Sequence, residues 1–248
     1  MKPLHFSALK KMARSPAHYK AALEMPSEDK PAFRLGRLVH TLVLGGPAYE
    51  VWDGGQRRGK AWDEFVKANE DVDIVSTDEL ETARGMADSV LADMAARDLL
   101  VGEHECLFTW RIGERDCAGR LDVLDPLGFI TELKTTTDAE PDRFGRTAVR
   151  LGYAAQLAWY LDGAKAAGIG TPDRAYIVAV EKAPPYVVTC LELTPRALEM
   201  GRRTYRLWLE RLLVCEASDS WPGYVQGIWP LDVPEDFNLL IDGDEVAA

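Results

Sequence analysis

Residues 119–135 have the sequence GRLDVLDPLGFITELKT, and this stretch decides the fold. Apolar and polar residues alternate on both sides of the turn signal at 125–128, which predicts two strands joined by a four-residue turn. Asp122 lies on the first strand, while Glu132 and Lys134 lie on the second. Because side chains at i and i+2 share one face of a strand, Glu132 and Lys134 are expected to point the same way.

Three charged side chains are therefore predicted to converge at one edge of this hairpin. Leu133 and Ile130 are expected on the opposite face, while Asp122 can approach Glu132 across the strands. Two neighbouring carboxylates repel, so either one takes up a proton or a cation neutralises both. Mg²⁺ or Mn²⁺ suits such ligands, and Lys134 would then orient an attacking water or stabilise the transition state. The alternative is an ordinary surface hairpin with a cross-strand salt bridge.

The sequence around the hairpin predicts a mixed α/β domain with one central sheet flanked by helices. Predicted helices cover 7–24 with a break at Ser15-Pro16, 33–44, 59–69, 77–97, 141–149, 152–167 and 195–213. Predicted strands cover 104–112, 116–124, 128–135, 174–181 and 186–193. We expect one domain over 1–215, helical over 1–100 and catalytic over 101–215, and an acidic tail over 216–248.

Composition and charge limit the class of protein. The 248 residues are 47% hydrophobic and 28% charged, as in ordinary globular proteins. No apolar run is long enough to span a membrane and the N-terminus lacks a secretion-signal core, so a cytoplasmic protein is expected. The four cysteines form no CxxC pair and are expected to be buried free thiols. A net charge of −11 argues against a nucleic-acid coat protein, but an acidic exterior is compatible with a basic cleft.

Further candidate site residues lie on the helices and at the start of the first predicted strand. His40 lies in an apolar helix, where it is either a satisfied core residue or an additional metal ligand. Gln156 and Tyr160 share one helix face, which is either the border of that helix or a support for the catalytic lysine, a metal-bound water or DNA. Glu103 and Glu105 are either outer metal ligands or a solvated strand end.

Basic residues gather close to these motifs. The groups are Lys10, Lys11, Arg14, His18 and Lys20 near the N-terminus, Arg34 and Arg37 before His40, and Arg143, Arg146 and Arg150 along one helix face. In a chain of negative net charge they favour a path for DNA phosphates into the site, although solvated basic faces are the alternative. The residues expected to contact DNA are Lys10, His18, Arg37, Arg143 and Arg146.

In their order and spacing, the motifs resemble those of the PDDEXK nuclease superfamily. The matching segments are Ser7-x-x-Lys10, Ser15-Pro16-x-His18-Tyr19, Phe33-x-x-Gly36-x-x-x-His40, Gly119-x-x-Asp122, Glu132-x-Lys134, Phe144-x-Arg146 and Gly152-Tyr153-x-x-Gln156-x-x-x-Tyr160. From about residue 5 to 195 the chain is most similar to the exonuclease VIII (RecE-type) C-terminal nuclease domain and its phage and prophage relatives. It departs from exonuclease VIII at Glu132, where that enzyme carries aspartate.

This resemblance implies a restriction-endonuclease-like (PDDEXK) core and a Mg²⁺-dependent exodeoxyribonuclease, with Mn²⁺ able to substitute. It implies degradation of double-stranded DNA from its ends, 5′ to 3′, in phage-type recombination, with a single-strand annealing partner and a ring or tetramer of subunits. The implied metal ligands are His40, Asp122, Glu132 and the carbonyl of Leu133, and the implied catalytic residues are Asp122, Glu132, Lys134, Gln156 and Tyr160. The alternatives are a structure-specific or restriction-like endonuclease and a catalytically silent DNA-binding scaffold.

Overall fold

A six-stranded mixed sheet lies at the centre of the fold. The computed structural model describes residues 2–25, 31–225 and 227–232, and the backbone of 239–241 and 244–246. The elements in chain order are β1 (Leu4–His5), α1 (Phe6–Leu9), a 3-10 helix (Lys10–Ala13), α2 (Pro16–Glu24), α3 (Pro31–Leu44), β2 (Tyr49–Trp52), α4 (Lys60–Ala68), β3 (Asp73–Ser76), α5 (Thr77–Ala92), α6 (Met94–Leu99), β4 (Glu103–Ile112), β5 (Arg115–Leu124), β6 (Phe129–Thr136), α7 (Pro141–Leu151), α8 (Tyr153–Ala167), β7 (Arg174–Glu181), β8 (Val188–Glu192), α9 (Pro195–Ser218), β9 (Leu239–Ile241) and β10 (Asp244–Val246).

One edge of β5 is shared by two different strands. The antiparallel strand β4 pairs with every residue of β5 except Asp122, so all other partners must use the opposite edge. There β1 pairs in parallel at Cys117 and Ala118, and β6 pairs antiparallel only at Val123 and Leu124. Beyond these pairs β6 continues as the parallel neighbour of β7. Residues 119–122, which we call the β5 gap, therefore have no strand partner on this edge among the described residues.

Two hydrophobic clusters cover the two faces of the sheet. Leu133 packs in the cluster that α3 and α5 form with the sheet, whereas Ile130 packs in the cluster that contains α8 and α9. The expectation that Ile130 lies on the same face as Leu133 was wrong. Ile130 lies two positions before Glu132 on the same strand, so these two side chains share one face. The predicted mixed α/β architecture, with helices on a central sheet, is confirmed.

The helix predicted over 77–97 consists of two helices. Asp93 ends α5 in an extended conformation, with φ −74° and ψ 123°. Its side chain then accepts a hydrogen bond from Ala96 N–H and caps α6, as aspartate commonly does at a helix start. The short strands β1, β2 and β3 were not predicted, because two to four residues are too few to show a period of two.

The chain beyond α9 returns to the N-terminal helices. The ring of Trp221 stacks on Tyr19 with centroids 5.7 Å apart, and Ala17 N–H donates to the carbonyl of Pro222 at 3.1 Å. The predicted division at residue 215 stays a prediction. Of the acidic tail predicted over 216–248, residues 226, 233–238, 242–243 and 247–248 lie outside the described residues. The four cysteines are free, as predicted, but only Cys117 and Cys215 are buried, and the expectation that Cys106 and Cys190 are buried was wrong. In the described part of the chain, no helix has the length and apolar character needed to cross a membrane.

Helices α8 and α9 are in close backbone contact at Gly201. A Cβ atom added there would lie 2.2 Å from the carbonyl oxygen of Ala154, and a backbone atom cannot rotate away. We expect Gly201→Ala to lower the free energy of unfolding by about 1–3 kcal/mol in urea. Gly145→Ala in α7 is the control, because an added Cβ meets nothing within 4 Å and alanine favours a helix. Equal stability of the Gly201 variant and the wild type would contradict this packing.

Candidate active site

The β5 gap places Asp122 at the centre of the candidate site. In place of a backbone partner, the Asp122 carboxylate accepts a hydrogen bond from Leu133 N–H at 2.9 Å. Continuing the register of the Val123–Thr131 pair by one step brings Glu132 opposite Asp122. Both carboxylates line the same cleft, so the hairpin brings them together in the way that its sequence pattern predicts.

Glu132 and Lys134 form an ion pair on one face of β6. The Lys134 ammonium contacts Glu132 Oε2, and Gln156 Nε2 donates to the same oxygen at 3.3 Å. Gln156 Nε2 also lies 3.2 Å from the hydroxyl of Tyr160, one turn further along α8. The Gln156 amide thus lies on the Glu132 carboxylate, a contact that was not among the roles predicted for it, namely to hold Lys134 or a metal-bound water. The other oxygen, Glu132 Oε1, is buried and has no hydrogen-bond partner among the described residues.

His40 approaches these groups from α3. Its Nε2 lies 2.9 Å from the carbonyl oxygen of Leu133, and since a carbonyl only accepts, Nε2 carries the proton. Nδ1 then faces Asp122 Oδ2 at 3.7 Å and Glu105 Oε1 at 3.9 Å. A neutral imidazole would point a lone pair at two carboxylates, which is stable only when a proton or a metal ion lies between them. The Leu133 carbonyl, also a predicted ligand, already uses one lone pair on His40.

Glu105 joins the site through an unusual backbone conformation. Its φ of 52° is left-handed, a conformation that costs a residue of this type about 1–3 kcal/mol. On either side of Glu105, the pairs His104–Val123 and Cys106–Leu121 follow the same register. Glu105 itself, which that register places opposite Asp122, forms no strand pair with it. The carboxylate of Glu105 is held by Arg120 at 3.0 Å.

The two glutamates of β4 lie in different surroundings. Ligand atoms of His40, Glu105 and Asp122 all lie within 4.8 Å of one another, whereas Glu103 lies outside this group. The signal for Glu105 was available in the sequence: it is as far from the turn at 113–114 as Asp122 is, so a hairpin brings the two residues opposite each other.

The buried charges of the site are not balanced by the chain alone. Asp122 is 6% exposed and Glu132 2% exposed. Burial, and then the neighbouring Asp122, raise the pKa of Glu132 to about 7, although Lys134 opposes this shift. Burial alone would lower the pKa of Lys134, but Glu132 and Asp122 outweigh it and raise the pKa. In the same way, Asp122 and Glu105 outweigh burial and raise the pKa of His40.

The available donor atoms fit a divalent cation. His40, Glu105 and Asp122 offer carboxylate oxygen atoms and one imidazole nitrogen within 4.8 Å of one another, and the buried Glu132 Oε1 has no partner among the described residues. Mg²⁺ and Mn²⁺ accept such ligands. A bound cation would supply the positive charge that the buried carboxylates lack. Nearby, Tyr160 stays protonated because burial, together with Glu132, raises its pKa to about 12.

Only two of the five residues predicted to contact DNA line the clefts of the candidate site. Lys10 lines the same cleft as Asp122 and Glu132, and Arg37 lines a second cleft beside His40. The others lie elsewhere: Arg143 is paired with Asp138 and Glu140, Arg146 is exposed on α7, and His18 is hydrogen-bonded to the Ser15 hydroxyl at 2.6 Å. Arg37 itself is fixed to Asp73 by an ion pair of 2.7 Å.

The mixed sheet opens beside the buried Asp122 and Glu132 and the partly buried Lys134, an arrangement that agrees with a PDDEXK-like fold. The chain belongs to the family described as a PDDEXK-like domain of unknown function (DUF3799), which matches residues 5–228. This membership supports a nuclease. The chain is also similar to the structure of a candidate exonuclease from Eubacterium rectale, with a TM-score of 0.66 and 14% identity over 94% of this chain and 91% of the other, which shows the shared fold.

Another solved structure, that of SSO0001, covers 77% of this chain and 88% of its own at 12% identity, and its TM-score of 0.34 is too low to support an argument. No curated protein matches the chain significantly.

The metal-free protein is expected to lose stability as the pH rises through the pKa of Glu132. The pKa of about 7 in the folded chain is above the ordinary value of 4.5, so the folded state binds this proton more tightly. This proton therefore stabilises the fold fully at a pH below the ordinary pKa of 4.5, and the stabilisation is lost as the pH rises through the raised pKa of about 7. In EDTA, the free energy of unfolding of the wild type relative to Glu132→Gln should therefore fall between about pH 4.5 and 8.

Added Mg²⁺ should reverse this loss, because it binds the deprotonated carboxylates of the folded state. We expect Mg²⁺ to raise the melting temperature more at high pH than at low pH in the wild type, and to have little effect on Glu132→Gln. An equal effect of Mg²⁺ on both proteins at every pH would contradict the site.

Proposed function

We propose that this protein is a metal-dependent exodeoxyribonuclease that hydrolyses the phosphodiester bonds of double-stranded DNA from its ends. The observation that carries this proposal is the set of charges at the β5 gap. Ligand atoms of His40, Glu105 and Asp122 lie within 4.8 Å of one another. The buried Glu132 lines the same cleft as Asp122 and is paired with the partly buried ammonium of Lys134. Such a site binds a divalent cation and, next to it, the negatively charged phosphate of a substrate.

The metal ligands in this proposal are Asp122, Glu132 and His40, with the Leu133 carbonyl and Glu105 as further candidates. Mg²⁺ is the proposed ion and Mn²⁺ a substitute. When bound, the ion supplies Lewis-acid polarisation of the phosphate and a water of lowered pKa.

The chain's own residues have distinct roles in this reaction. Lys134 can donate hydrogen bonds to the attacking water and to a phosphate oxygen, and its charge stabilises the negative charge that grows in the transition state. Gln156 holds one oxygen of Glu132 through its amide, and Tyr160 holds that amide in turn. Their role is to fix the orientation of Glu132 while leaving Oε1 available.

The finer parts of the proposal come from the resemblance to exonuclease VIII-type nucleases. They are 5′ to 3′ polarity, a role in phage-type recombination with a single-strand annealing protein, assembly into a ring or tetramer, and activity in the cytoplasm. An assembly that turns basic residues inward would also reconcile a net charge of −11 with a DNA substrate. Lys10, His18, Arg37, Arg143 and Arg146 remain the proposed DNA contacts.

Removing either Asp122 or Lys134 should abolish cleavage of linear duplex DNA. We expect Asp122→Ala and Lys134→Ala to lower the rate by at least about 10²–10³-fold, as measured with end-labelled duplex in Mg²⁺. Lys165→Ala, which removes an exposed lysine far along α8, is the matched control and should cleave at the wild-type rate. Circular dichroism should show native folding of all three variants. Cleavage by the Asp122 and Lys134 variants at the wild-type rate would refute the site.

Closed circular DNA should resist the enzyme, because an exonuclease requires an end. We expect the protein to degrade a linearised plasmid in Mg²⁺ and to leave the covalently closed form of the same plasmid intact, as followed by gel electrophoresis. Cutting of the closed circle would indicate an endonuclease on the same fold. Binding of both forms without cleavage would indicate a catalytically silent scaffold.

A further inference from the structure

Two clefts meet at the catalytic lysine. The N-terminal cleft, about 570 Å³ in volume, is lined by residues of β1 and α1, by Lys10 and by one face of α8. The α3 cleft, about 480 Å³ in volume, lies between α3 and the junction of α7 and α8, with Lys182 at the end of β7. His40, Arg120 and Lys134 line both clefts. A strand that places one phosphate at Lys134 can therefore extend into each cleft.

The α3 cleft is positively charged although the chain is acidic. Four cationic side chains line it, against the single carboxylate of Glu105. Three of the four have an acidic partner: Arg37 pairs with Asp73, Arg120 with Glu105 and Lys134 with Glu132. Among the described residues, Lys182 contacts no carboxylate. It is therefore the cation of this cleft whose charge is available to an external anion.

Lys182 projects from a rigid part of the fold. Its N–H donates to the carbonyl of Thr136 at 2.9 Å, which fixes it to the end of β6. Because Lys134 pairs with Ala179, Lys182 lies three residues further on, about 10 Å along the sheet. The neighbouring Glu181 does not neutralise it, since that carboxylate accepts from Ala139 N–H at 2.9 Å.

Lys10 is the corresponding cation of the N-terminal cleft. It lies on the 3-10 helix and contacts no carboxylate among the described residues. Burial, and then the charge of Lys134, lower its pKa, which is expected of an ammonium group that is partly withdrawn from water close to another ammonium. A phosphate between or beside the two lysines would relieve this repulsion.

We propose that one DNA strand crosses the site from cleft to cleft, and that Lys182 binds a phosphate on the α3 side of the scissile position while Lys10 binds one on the other side. The proposal rests on the nuclease function proposed above and assigns to Lys182 a substrate contact that the sequence motifs do not include. Its ligand is the phosphodiester backbone of a single strand, and the two lysines fix that strand on both sides of Lys134.

The test pairs each lysine with a single phosphate. The substrate is a duplex closed at one end by a hairpin, in which one neutral methylphosphonate replaces one phosphate at successive positions from the free end. Binding is measured in Ca²⁺, so that affinity is followed in the absence of cleavage. For the wild type, the methylphosphonate that faces Lys182 should weaken binding by about five-fold, and so should the one that faces Lys10.

In Lys182→Gln, the methylphosphonate on the α3 side should cause no further loss, while the other position should keep its full effect. Lys10→Gln should show the reverse pattern, and Lys165→Gln should behave as the wild type at both positions. The proposal would be overturned if every methylphosphonate weakened DNA binding by Lys182→Gln as much as it weakens binding by the wild type. It would also be overturned if the same methylphosphonate lost its effect in both the Lys182 and the Lys10 variants. A protein that binds no DNA in Ca²⁺ would remove the nuclease proposal as well, whereas normal binding without coupling removes only this inference.

Discussion

The hydrogen bond from Leu133 N–H to the Asp122 carboxylate connects the fold to the site. In a continuous hairpin this amide would face a backbone carbonyl of β5. Here β6 separates from β5 after two paired residues, while its other edge stays paired with β7 along the whole of β6, and the side chain of Asp122 accepts from the amide instead. Because buried amides are almost always hydrogen-bonded, the acidic side chain stabilises the divergence of the two strands. The same divergence provides the space in which the charged groups meet.

The electrostatic consequence of this geometry is a site that stays incomplete without a cation. Carboxylates are rarely buried unless they are paired, yet Asp122 and Glu132 are almost fully buried beside each other. Lys134 balances one of the charges. The left-handed backbone of Glu105 adds a third acidic group, which is paired with Arg120. A fold that keeps such an arrangement gives up stability for binding, which is typical of functional sites.

Much of the fold and of the candidate site could be predicted from the sequence, because the apolar residues of the central strands and helices recur with the periods of those elements. The alternation in 119–135 was sufficient to place Glu132 and Lys134 on one face, and the helical pattern was sufficient to place Gln156 and Tyr160 together. The position of His40 depends instead on how α3 packs on β6, and no local pattern contains that information. The positive φ of Glu105 and the free charge of Lys182 are likewise products of tertiary structure. The error on Ile130 had a simpler origin, since counting along the strand already places it with Glu132.

The central claim is that the divergence of β5 and β6 creates a binding site for one divalent cation between Asp122, Glu132 and His40. The most direct measurement is anomalous scattering from a crystal of the protein soaked in Mn²⁺. The account predicts a strong peak within coordination distance of these three side chains, and its absence in crystals of Asp122→Ala. A peak only at an exposed acidic cluster, with no peak near the Lys134–Glu132 ion pair, would contradict the proposed cation site.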